Sequence, residues 1–464
     1  MMIVKTSKSE TAAKNFVTVI LTEEKSGQRF VETKNGSLEL RFAIGKLADI
    51  NRRKFITLVR NIIRTAKTHD IEYLFWKIKP TAFVKLTEAG NDWVLETVAT
   101  NILLANYEFH AYKTGKKKAE LKEVILGGSE ANAYQNAVKR GVLIGEHINQ
   151  ARDIANTPGD DMTPRLFAES VKSLVKGTKI KVTVFDEKQI KKEDLHALWA
   201  VGKGADDMPR FVIMEYKGGK PKEKPVVLIG KGVTYDTGGL NIKPSGSMHD
   251  MHMDMSGGSS VAATIVTAAK LGLKKNVVVL IPVAENAVSE KSMRAGDIVK
   301  SHSGKTIEVL HTDAEGRMIL ADALSYANKF SPRVIIDVAT LTGASMVALG
   351  QQASAVMTTN DVLRETLPRL GEETGDYVWP LPLWDEFKRP LTETRADVVN
   401  IQPNFSKLGG AIEGAAFLSF FAPKGIPWAH LDIAPRMDAA PHDKLAKGST
   451  GEPIRLLIKF LETY

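Results

Sequence analysis

Apolar positions follow two different periods along this chain, and the two periods predict strands and helices in turn. Consecutive apolar residues at 226–230, 277–282 and 334–338 predict buried strands. An apolar residue at every third or fourth position over 54–67 and a run of small apolar residues over 411–421 predict helices. Because such strands alternate with helices, the pattern predicts α/β architecture, with a mostly parallel central sheet flanked by helices.

A Pro-Gly cluster at 156–161 (NTPGDD) divides the pattern in two. It ends a long helix predicted over 132–155, and Thr163-Pro164 then supply a cap and a first-turn proline for the next helix. Upstream, predicted strands alternate with helices; the strands are at 16–21, 38–44, 71–78 and 121–126, and the helices are at 54–67 and 92–107. We therefore predict two α/β domains, a basic one over 1–156 and a catalytic one over 157–464.

Composition narrows the protein class. The 464 residues are 43% apolar and 25% charged, as is typical of a globular protein with a sizeable core. With no cysteine, any chemistry must use carboxylates, His, Lys and Ser or Thr. No apolar stretch approaches the length of a membrane span, and the first residues lack the apolar core of a signal peptide, so we expect a cytoplasmic protein.

The formal net charge of +9 is concentrated in the first third of the chain. Residues 1–160 contain 25 Lys and Arg against 18 Asp and Glu, and the segment 113–122 (KTGKKKAELK) places five lysines in a predicted exposed loop. Two interpretations stay open. The charge can attract an acidic partner such as DNA, or it can be a solvated surface that has no polyanion partner.

Two segments concentrate the directed chemistry, 231–254 (KGVTYDTGGLNIKPSGSMHDMHMD) and 311–320 (HTDAEGRMIL). The first follows a predicted strand and enters a Gly-rich loop; the second ends in a predicted helix start. Together they contain the carboxylates Asp236, Asp254, Asp313 and Glu315. Crowded carboxylates repel one another unless cations compensate, and two divalent ions balance four of them. Oxygen ligands suit Mg, Mn or Zn.

Each fragment also has a simpler interpretation. Acidic residues such as Asp313 and Glu315 favour helix N-termini without any ligand, and a lone Asp-Thr-Gly-Gly is usually a turn. His249 and His252 have metal-ligand spacing, but we favour solvated histidines in a Met-rich loop. What the simpler interpretations do not explain is the co-occurrence of both segments.

The segments KGVTYDTGGLNIKPS, MDMSGG and TDAEGR resemble the signature segments of the leucyl aminopeptidase (cytosol aminopeptidase) family of two-metal peptidases. The resemblance continues through ENAVSEKSMRAGDIVKSHSGKTIEVL, DVATLTGA, WAHLDIA and KGSTGEP, and so covers residue 156 to the C-terminus. It implies a metallo-exopeptidase that releases N-terminal amino acids from peptides through a water activated by two metals. It also implies a homohexamer.

The family pattern also implies roles for individual residues. The implied ligands of two Mn²⁺ or Zn²⁺ ions are Lys231, Asp236, Asp254, Asp313 and Glu315. Lys243 is implied to polarise the scissile carbonyl, and Arg317 to hold a bicarbonate that acts as general base. The substrate-binding residues are implied to be Met251, Thr340, Leu341, Gly343, Ala434 and Met437, an apolar set that favours Leu-like or Met-like side chains.

Two positions depart from the family pattern. His311 stands where the family usually has Asn, and Met318 where it usually has Leu. Neither is an implied ligand, but His311 adjoins Asp313 and is placed to affect pH dependence or metal choice.

The resemblance also leaves a second function open, since some bacterial members have a DNA-binding, regulatory role. The basic N-terminal domain could act in that way in addition to catalysis or instead of it.

Overall fold

The computed structural model describes residues 2–24, 27–33, 36–115, 120–404 and 408–464. They form two compact units, Met1–Asn149 with Ala439–Lys447, and Gln150–Asp438 with Gly448–Tyr464. Helices and strands alternate in both, so the predicted α/β class is confirmed. None of the described helices combines the length and apolar character that a membrane crossing needs.

In the described part of the first unit, six strands form one sheet in the order β1-β6-β5-β2-β4-β3. Only β3 runs antiparallel to its neighbour. The strands are β1 (Ile3–Ser7), β2 (Val17–Thr22), β3 (Gln28–Glu32), β4 (Leu38–Ala43), β5 (Tyr73–Lys77) and β6 (Glu123–Gly127). The helices are α1 (Arg52–Thr68), α2 (Asn91–Asn106), α3 (Ser129–Ala133) and α4 (Gln135–Asn156), the last of which continues into the second unit.

Local sequence explains where α1 begins. The side chain of Asn51 accepts a hydrogen bond from the Lys54 amide and so caps α1, whose apolar side is buried. The single helix predicted over 132–155 is wrong in one respect, because Tyr134 has φ −106° and ψ 31° and separates α3 from α4. In the lysine segment, residues 116–119 lie outside the described residues, and Lys122 pairs with Glu72 at 2.7 Å.

The second unit is built on a sheet of nine strands, counted over the described residues. Its order is β16-β15-β18-β14-β9-β11-β8-β7, and β10 pairs with β11. The strands are β7 (Lys181–Phe185), β8 (Arg210–Lys217), β9 (Val226–Gly230), β10 (Gly232–Asp236), β11 (Asn276–Asn286), β14 (Val334–Ala339), β15 (Ser354–Met357), β16 (Val378–Pro380) and β18 (Trp428–Asp432). A small separate sheet contains β12 (Ile298–Lys300), β13 (Thr306–Glu308) and β17 (Val398–Val399).

Helices cover both faces of the nine-stranded sheet, and an apolar core lies on each side. They are α5 (Pro164–Leu174), α6 (Glu187–Lys192), α7 (His196–Gly202), α8 (Ser256–Lys270), α9 (Glu315–Tyr326), α10 (Gly343–Leu349), α11 (Asp361–Thr374), α12 (Gly410–Ser419) and α13 (Ile454–Thr463). Helix α8 begins with small residues because its first turn lies against the ends of β9 and β14. A Cβ at Gly257 would collide with the Val338 carbonyl.

The order of the parallel strands decides where the chemistry lies. Strands β10, β11, β9, β14 and β18 all run in the same direction, so their carboxyl ends lie along one edge of the sheet. The residues at or just after these ends are Asp236, Asn286, Lys231, Thr340 and Asp432. Such an edge is where open α/β sheets form binding sites. Residues 232–236, predicted as part of a loop, form strand β10 because they pair with β11.

Candidate metal centre

Three carboxylates meet at the carboxyl edge of the nine-stranded sheet. Asp236 ends β10, while Asp313 and Glu315 lie at the start of α9, and one oxygen from each lies within 4.8 Å of the other two. Glu315 and Asp236 are buried, and Asp313 is half-buried. This separation suits ligands of a shared cation, and the residue types suit a hard or borderline metal ion.

Two lysines extend the cluster to a fourth carboxylate. The Nζ of Lys231 lies 2.8 Å from Asp254 Oδ2 and 2.9 Å from Glu315 Oε1. The Nζ of Lys243 lies 2.7 Å from Asp236 Oδ2 and 2.5 Å from Asp313 Oδ1. The structure therefore brings together all five residues expected to bind metal and the lysine expected to act in catalysis.

The electrostatics of the cluster favour a further positive charge. Four carboxylates face two ammonium groups, so negative charge is in excess. Burial raises the pKa of Asp236 to about 7, with Glu315 adding to the shift and Lys243 opposing it. Burial likewise raises the pKa of Asp254 to about 7 against the effect of Lys231. Acids that resist ionisation because they are buried beside other acids are stabilised in their charged form by a bound cation, so the residues present fit divalent metal.

Lys231 reaches its position through backbone packing. It directly follows β9, its amide donates to the Val338 carbonyl, and its Nζ donates to the Thr340 carbonyl at 3.1 Å. Burial by itself lowers the pKa of Lys231, but Asp254 and Glu315 outweigh burial and hold this pKa above its usual value. In this arrangement Lys231 is an ammonium ion. To ligate a metal it has to give up a proton, which a cation among the same carboxylates promotes.

A shell of hydrogen bonds orients the carboxylates. Asn286 Nδ2 and the Gly238 amide both donate to Asp236 Oδ1 at 2.8 Å, and Thr340 Oγ1 donates to Asp254 Oδ1 at 2.6 Å. Over the described residues, the buried atoms Asp254 Oδ2 and Asp313 Oδ1 accept no hydrogen bond, and they form ion pairs with Lys231 and Lys243 respectively. Buried acceptors left in this way are suited to metal coordination.

Arg317, expected to hold an anion, lies in the first turn of α9, two residues after Glu315. Its Nη1 donates to the Asn400 carbonyl at 2.7 Å and to Glu413 Oε1 at 3.0 Å. Both Arg317 and Glu413 are buried. The guanidinium is thus held in place by a carboxylate that the sequence did not point to, since Glu413 lies in the small-residue helix α12.

The residues expected to bind substrate lie on three segments around the cluster. Met251 belongs to a 3-10 turn, Met251–Met253, which leads into Asp254. Thr340, Leu341 and Gly343 follow β14, and Ala434 and Met437 follow β18. Helix α10 packs against the turn Ala434–Arg436, so the second and third segments are adjacent.

The histidines remain outside the carboxylate cluster. His249 is exposed and His252 is half-buried, with burial lowering its pKa, and neither belongs to the group of close ligand atoms. His311 accepts a hydrogen bond from the Asp313 amide at 3.3 Å, and burial together with Lys243 lowers its pKa. Met318 is fully buried in the core.

Asn286 and Asp432 are two polar residues of this edge that sequence reasoning missed. Asn286 ends the long apolar strand β11, where a polar residue at a strand end is a weak signal. Asp432 ends β18 and accepts hydrogen bonds from the segments that follow β14 and β18. Both act through contacts with residues distant in sequence.

Known proteins resemble this chain over most of its length. The profile described as cytosol aminopeptidase family, catalytic domain, matches residues 149–458. A probable cytosol aminopeptidase of Azoarcus sp. (strain BH72) is 42% identical over 375 residues, covering 80% of this chain and 74% of that protein. One from Saccharophagus degradans is 40% identical over 430 residues, covering 90% and 83%. Among solved structures, the bottromycin maturation enzyme BotP in complex with Mn is 30% identical, with a TM-score of 0.86 over 97% of this chain and 99% of that one.

Proposed function

This chain belongs to the cytosol aminopeptidase family, and from that premise we propose that it uses two metal ions to release Leu-like or Met-like residues from peptide N-termini. Membership of the family makes it a hydrolase of the metallo-exopeptidase class. The single observation that carries the proposed site is the buried group of four carboxylates and two lysines at the carboxyl edge of the sheet.

Five residues would hold the metals, namely Lys231, Asp236, Asp254, Asp313 and Glu315. Mn²⁺ and Zn²⁺ are the candidate ions because the ligands are oxygens and one amine, and because the similar BotP structure is a complex with Mn. Two such ions bound there would lower the pKa of a bound water and polarise the scissile carbonyl.

Lys243 supplies positive charge for the oxygen of the scissile carbonyl. Burial lowers its pKa, but Asp236, Glu315 and Asp313 outweigh burial and hold this pKa above its usual value, so the ammonium stays charged at neutral pH. Charge that develops on a carbonyl oxygen during attack is stabilised by a donor already in place.

Arg317 is placed to hold an anion beside the cluster. Its Nη1 is engaged by Asn400 and Glu413, which fixes the plane of the guanidinium. We propose a bicarbonate there as the general base that takes a proton from the attacking water. A carboxylate-shaped anion suits the fork of N–H donors that an arginine presents.

The free α-amine of the substrate accounts for the proposed exopeptidase specificity. A deprotonated α-amino group would bind the metal ion held by Lys231 and Asp254, whereas an acetylated nitrogen has no lone pair available for a metal. The P1 side chain would lie among the residues assigned to the pocket, Met251, Thr340, Leu341, Gly343, Ala434 and Met437. Their apolar surface supports a preference for Leu and Met.

A homohexamer that works in the cytoplasm completes the proposal. Val347 on α10 and Leu408 are 89% and 83% exposed. The segments that carry them lie side by side, because a Cβ at Gly410 would lie 3.0 Å from the Cβ of Ala344. Exposed apolar side chains of this kind support a subunit contact. Light scattering of the purified protein at micromolar concentration measures the assembly, and a monomer would contradict it.

Hydrolysis of aminoacyl-p-nitroanilides tests the proposed function. The metal-free protein is reconstituted with Mn²⁺, Zn²⁺ or Mg²⁺ and assayed with Leu, Met, Ala, Lys and Glu substrates, and with N-acetyl-Leu-p-nitroanilide as the matched blocked substrate. We expect hydrolysis of Leu and Met substrates with Mn²⁺ or Zn²⁺. We expect no hydrolysis of the blocked substrate, and its cleavage would contradict recognition of the free amine.

A further inference from the structure

Asp432 is a fully buried carboxylate that accepts four hydrogen bonds from two separate segments of the chain. Its Oδ1 accepts from the amides of Leu341, Thr342 and Ala434 at 3.1, 3.4 and 3.2 Å. Its Oδ2 accepts from the Thr342 hydroxyl at 2.6 Å. A charge buried among apolar residues is tolerated when its acceptor sites are filled in this way.

The sheet register explains why a carboxylate is needed at this position. Asp432 ends β18 directly beside Ala339, the last residue of the parallel strand β14. Beyond this pair the two chains turn away from the sheet, and the amides of Leu341, Thr342 and Ala434 lose strand partners. Buried amides without acceptors destabilise a fold. A single carboxylate accepts from all three and thereby joins the two outgoing segments.

The bond to Thr342 extends the effect of Asp432 to the start of α10. Because the hydroxyl proton of Thr342 points to Asp432, the oxygen is free to accept from the Ser345 amide, which it does at 3.2 Å as the cap of α10. The carboxylate therefore orients the residue that determines where α10 begins, at Gly343.

We propose that Asp432 is a positioning residue that sets the width of the substrate pocket, and hence its selection among P1 side chains. The inference rests on the proposed function, because it takes Leu341 and Gly343 as one wall and Ala434 and Met437 as another. In this role Asp432 acts through the two walls, which it holds by hydrogen bonds from the backbone amides of Leu341, Thr342 and Ala434. Rigid walls discriminate between side chains that differ by a few methylene groups, and walls that move do so less.

Four variants separate positioning from stability. Asp432→Asn keeps the shape but removes the charge and turns one acceptor into a donor. Thr342→Val removes the hydroxyl, and with it both the bond to Asp432 and the cap on the Ser345 amide, whereas Thr342→Ser restores both. The matched control is Asp322→Asn, because Asp322 is also fully buried and also accepts backbone amides, those of Leu198 and His302, but joins segments away from the pocket.

The main readout is the ratio of kcat/KM for Leu-p-nitroanilide to that for Ala-p-nitroanilide, measured on enzyme with verified metal content. We expect this ratio to fall roughly 5- to 50-fold in Asp432→Asn and by about threefold or more in Thr342→Val, with metal content unchanged. Thr342→Ser and Asp322→Asn should stay within about twofold of the wild type.

Hydrogen exchange gives a second readout that does not depend on activity. Amides in 340–346 and 433–437 should exchange at least about fivefold faster in Asp432→Asn than in Asp322→Asn, because their acceptor is weakened. If the wild type cleaves no free-amine substrate, the proposed function fails. The hydrogen-exchange result by itself then decides whether Asp432 positions the two segments. A wild-type Leu-to-Ala ratio in folded, metal-loaded Asp432→Asn would overturn the proposal, and Thr342→Val decides by the same criterion if Asp432→Asn does not fold.

Discussion

Gly316 lies directly against the side chain of Lys231. A Cβ at position 316 would lie 2.5 Å from Lys231 Cε and 2.7 Å from its Nζ. Lys231 has no room to yield, since its Nζ is buried and in contact with Asp254, Glu315 and Thr340. The residue after Glu315 is therefore a glycine because α9 begins against a lysine that has to reach two carboxylates.

Gly316→Ala should displace Lys231 and weaken metal binding. We expect a lower metal content after gel filtration, and a fall of about 10² in kcat/KM, the size of effect that a displacement of about 1 Å produces in an active site. Metal analysis of the purified protein measures the first effect. Gly343→Ala is the matched control for metal content, because a Cβ there meets no atom within 4 Å. A metal content in Gly316→Ala equal to that of the wild type would contradict the role of Lys231 as a ligand.

Asp322 should make the stability of the fold depend on pH. Burial raises the pKa of Asp322 to about 7, above the value of about 3.9 expected in the unfolded chain. The folded chain therefore holds the proton more tightly, and the stability contributed by protonated Asp322 is present below about pH 4 and is lost as pH rises toward 7, by up to roughly 4 kcal/mol.

The test compares Asp322→Asn with the wild type between pH 5 and pH 8. Because Asn does not titrate, the Tm of the variant minus that of the wild type should become more positive as pH rises. Asp385→Asn controls for the loss of one charge, since the Asp385 side chain is 93% exposed. A difference in Tm that stays constant over this pH range would contradict the raised pKa of Asp322.

Arg317 should make the kcat of the enzyme depend on bicarbonate. If the anion held there is the general base, wild-type kcat should fall roughly tenfold in buffer freed of carbon dioxide and recover when bicarbonate is added. Arg317→Ala should be slow in both buffers and show no response. Arg333→Ala, at an exposed position, should respond as the wild type does. A bicarbonate response retained in Arg317→Ala would place the anion elsewhere.

Local pattern was sufficient to predict the fold class and the four carboxylates of the cluster, whereas the roles of Lys231 and Lys243 were implied by the resemblance to the family. Strand β9 is a run of apolar residues, and Asp313 and Glu315 stand just before an apolar helical pattern, so the ends of both elements could be placed from sequence. Once the strands are parallel, their ends share an edge, and the two chemical segments meet. The contacts of Lys231 with Asp254 and Glu315 follow from that arrangement.

What local pattern did not predict depends on residues far apart in the chain. Strand β10 (GVTYD) contains no apolar run and forms because β11 offers it a partner. Asp432 and Glu413 look like isolated acids in apolar segments, and their side-chain partners Thr342 and Arg317 lie 90 and 96 residues away. Helix α11 was also missed, because Pro368 lies inside it and the sequence signal of a proline is to end a helix.

Lys243 and Asp254 have different proposed tasks, which metal analysis can separate. Asp254 accepts from Thr340 and pairs with Lys231. Because Asp254 is a proposed metal ligand, Asp254→Ala should lower the metal content and the rate together. Lys243 is proposed to act on the carbonyl oxygen, so Lys243→Ala should keep its metals while kcat falls by about 10² to 10³, the usual loss for one oxyanion donor, and KM changes less.

The structure also supplies the strongest competing explanation for Lys243. Its Nζ pairs with both Asp236 and Asp313, so it could serve only to neutralise two ligands. In that case Lys243→Ala would lose metal, because the carboxylates would take up protons instead, and the rate per metal-loaded chain would be nearly intact. Lys243→Arg keeps the charge with a bulkier, planar head, so it should retain metal under either explanation and recover rate only if charge alone is needed. Normal kcat in metal-loaded Lys243→Ala would remove Lys243 from the catalytic step.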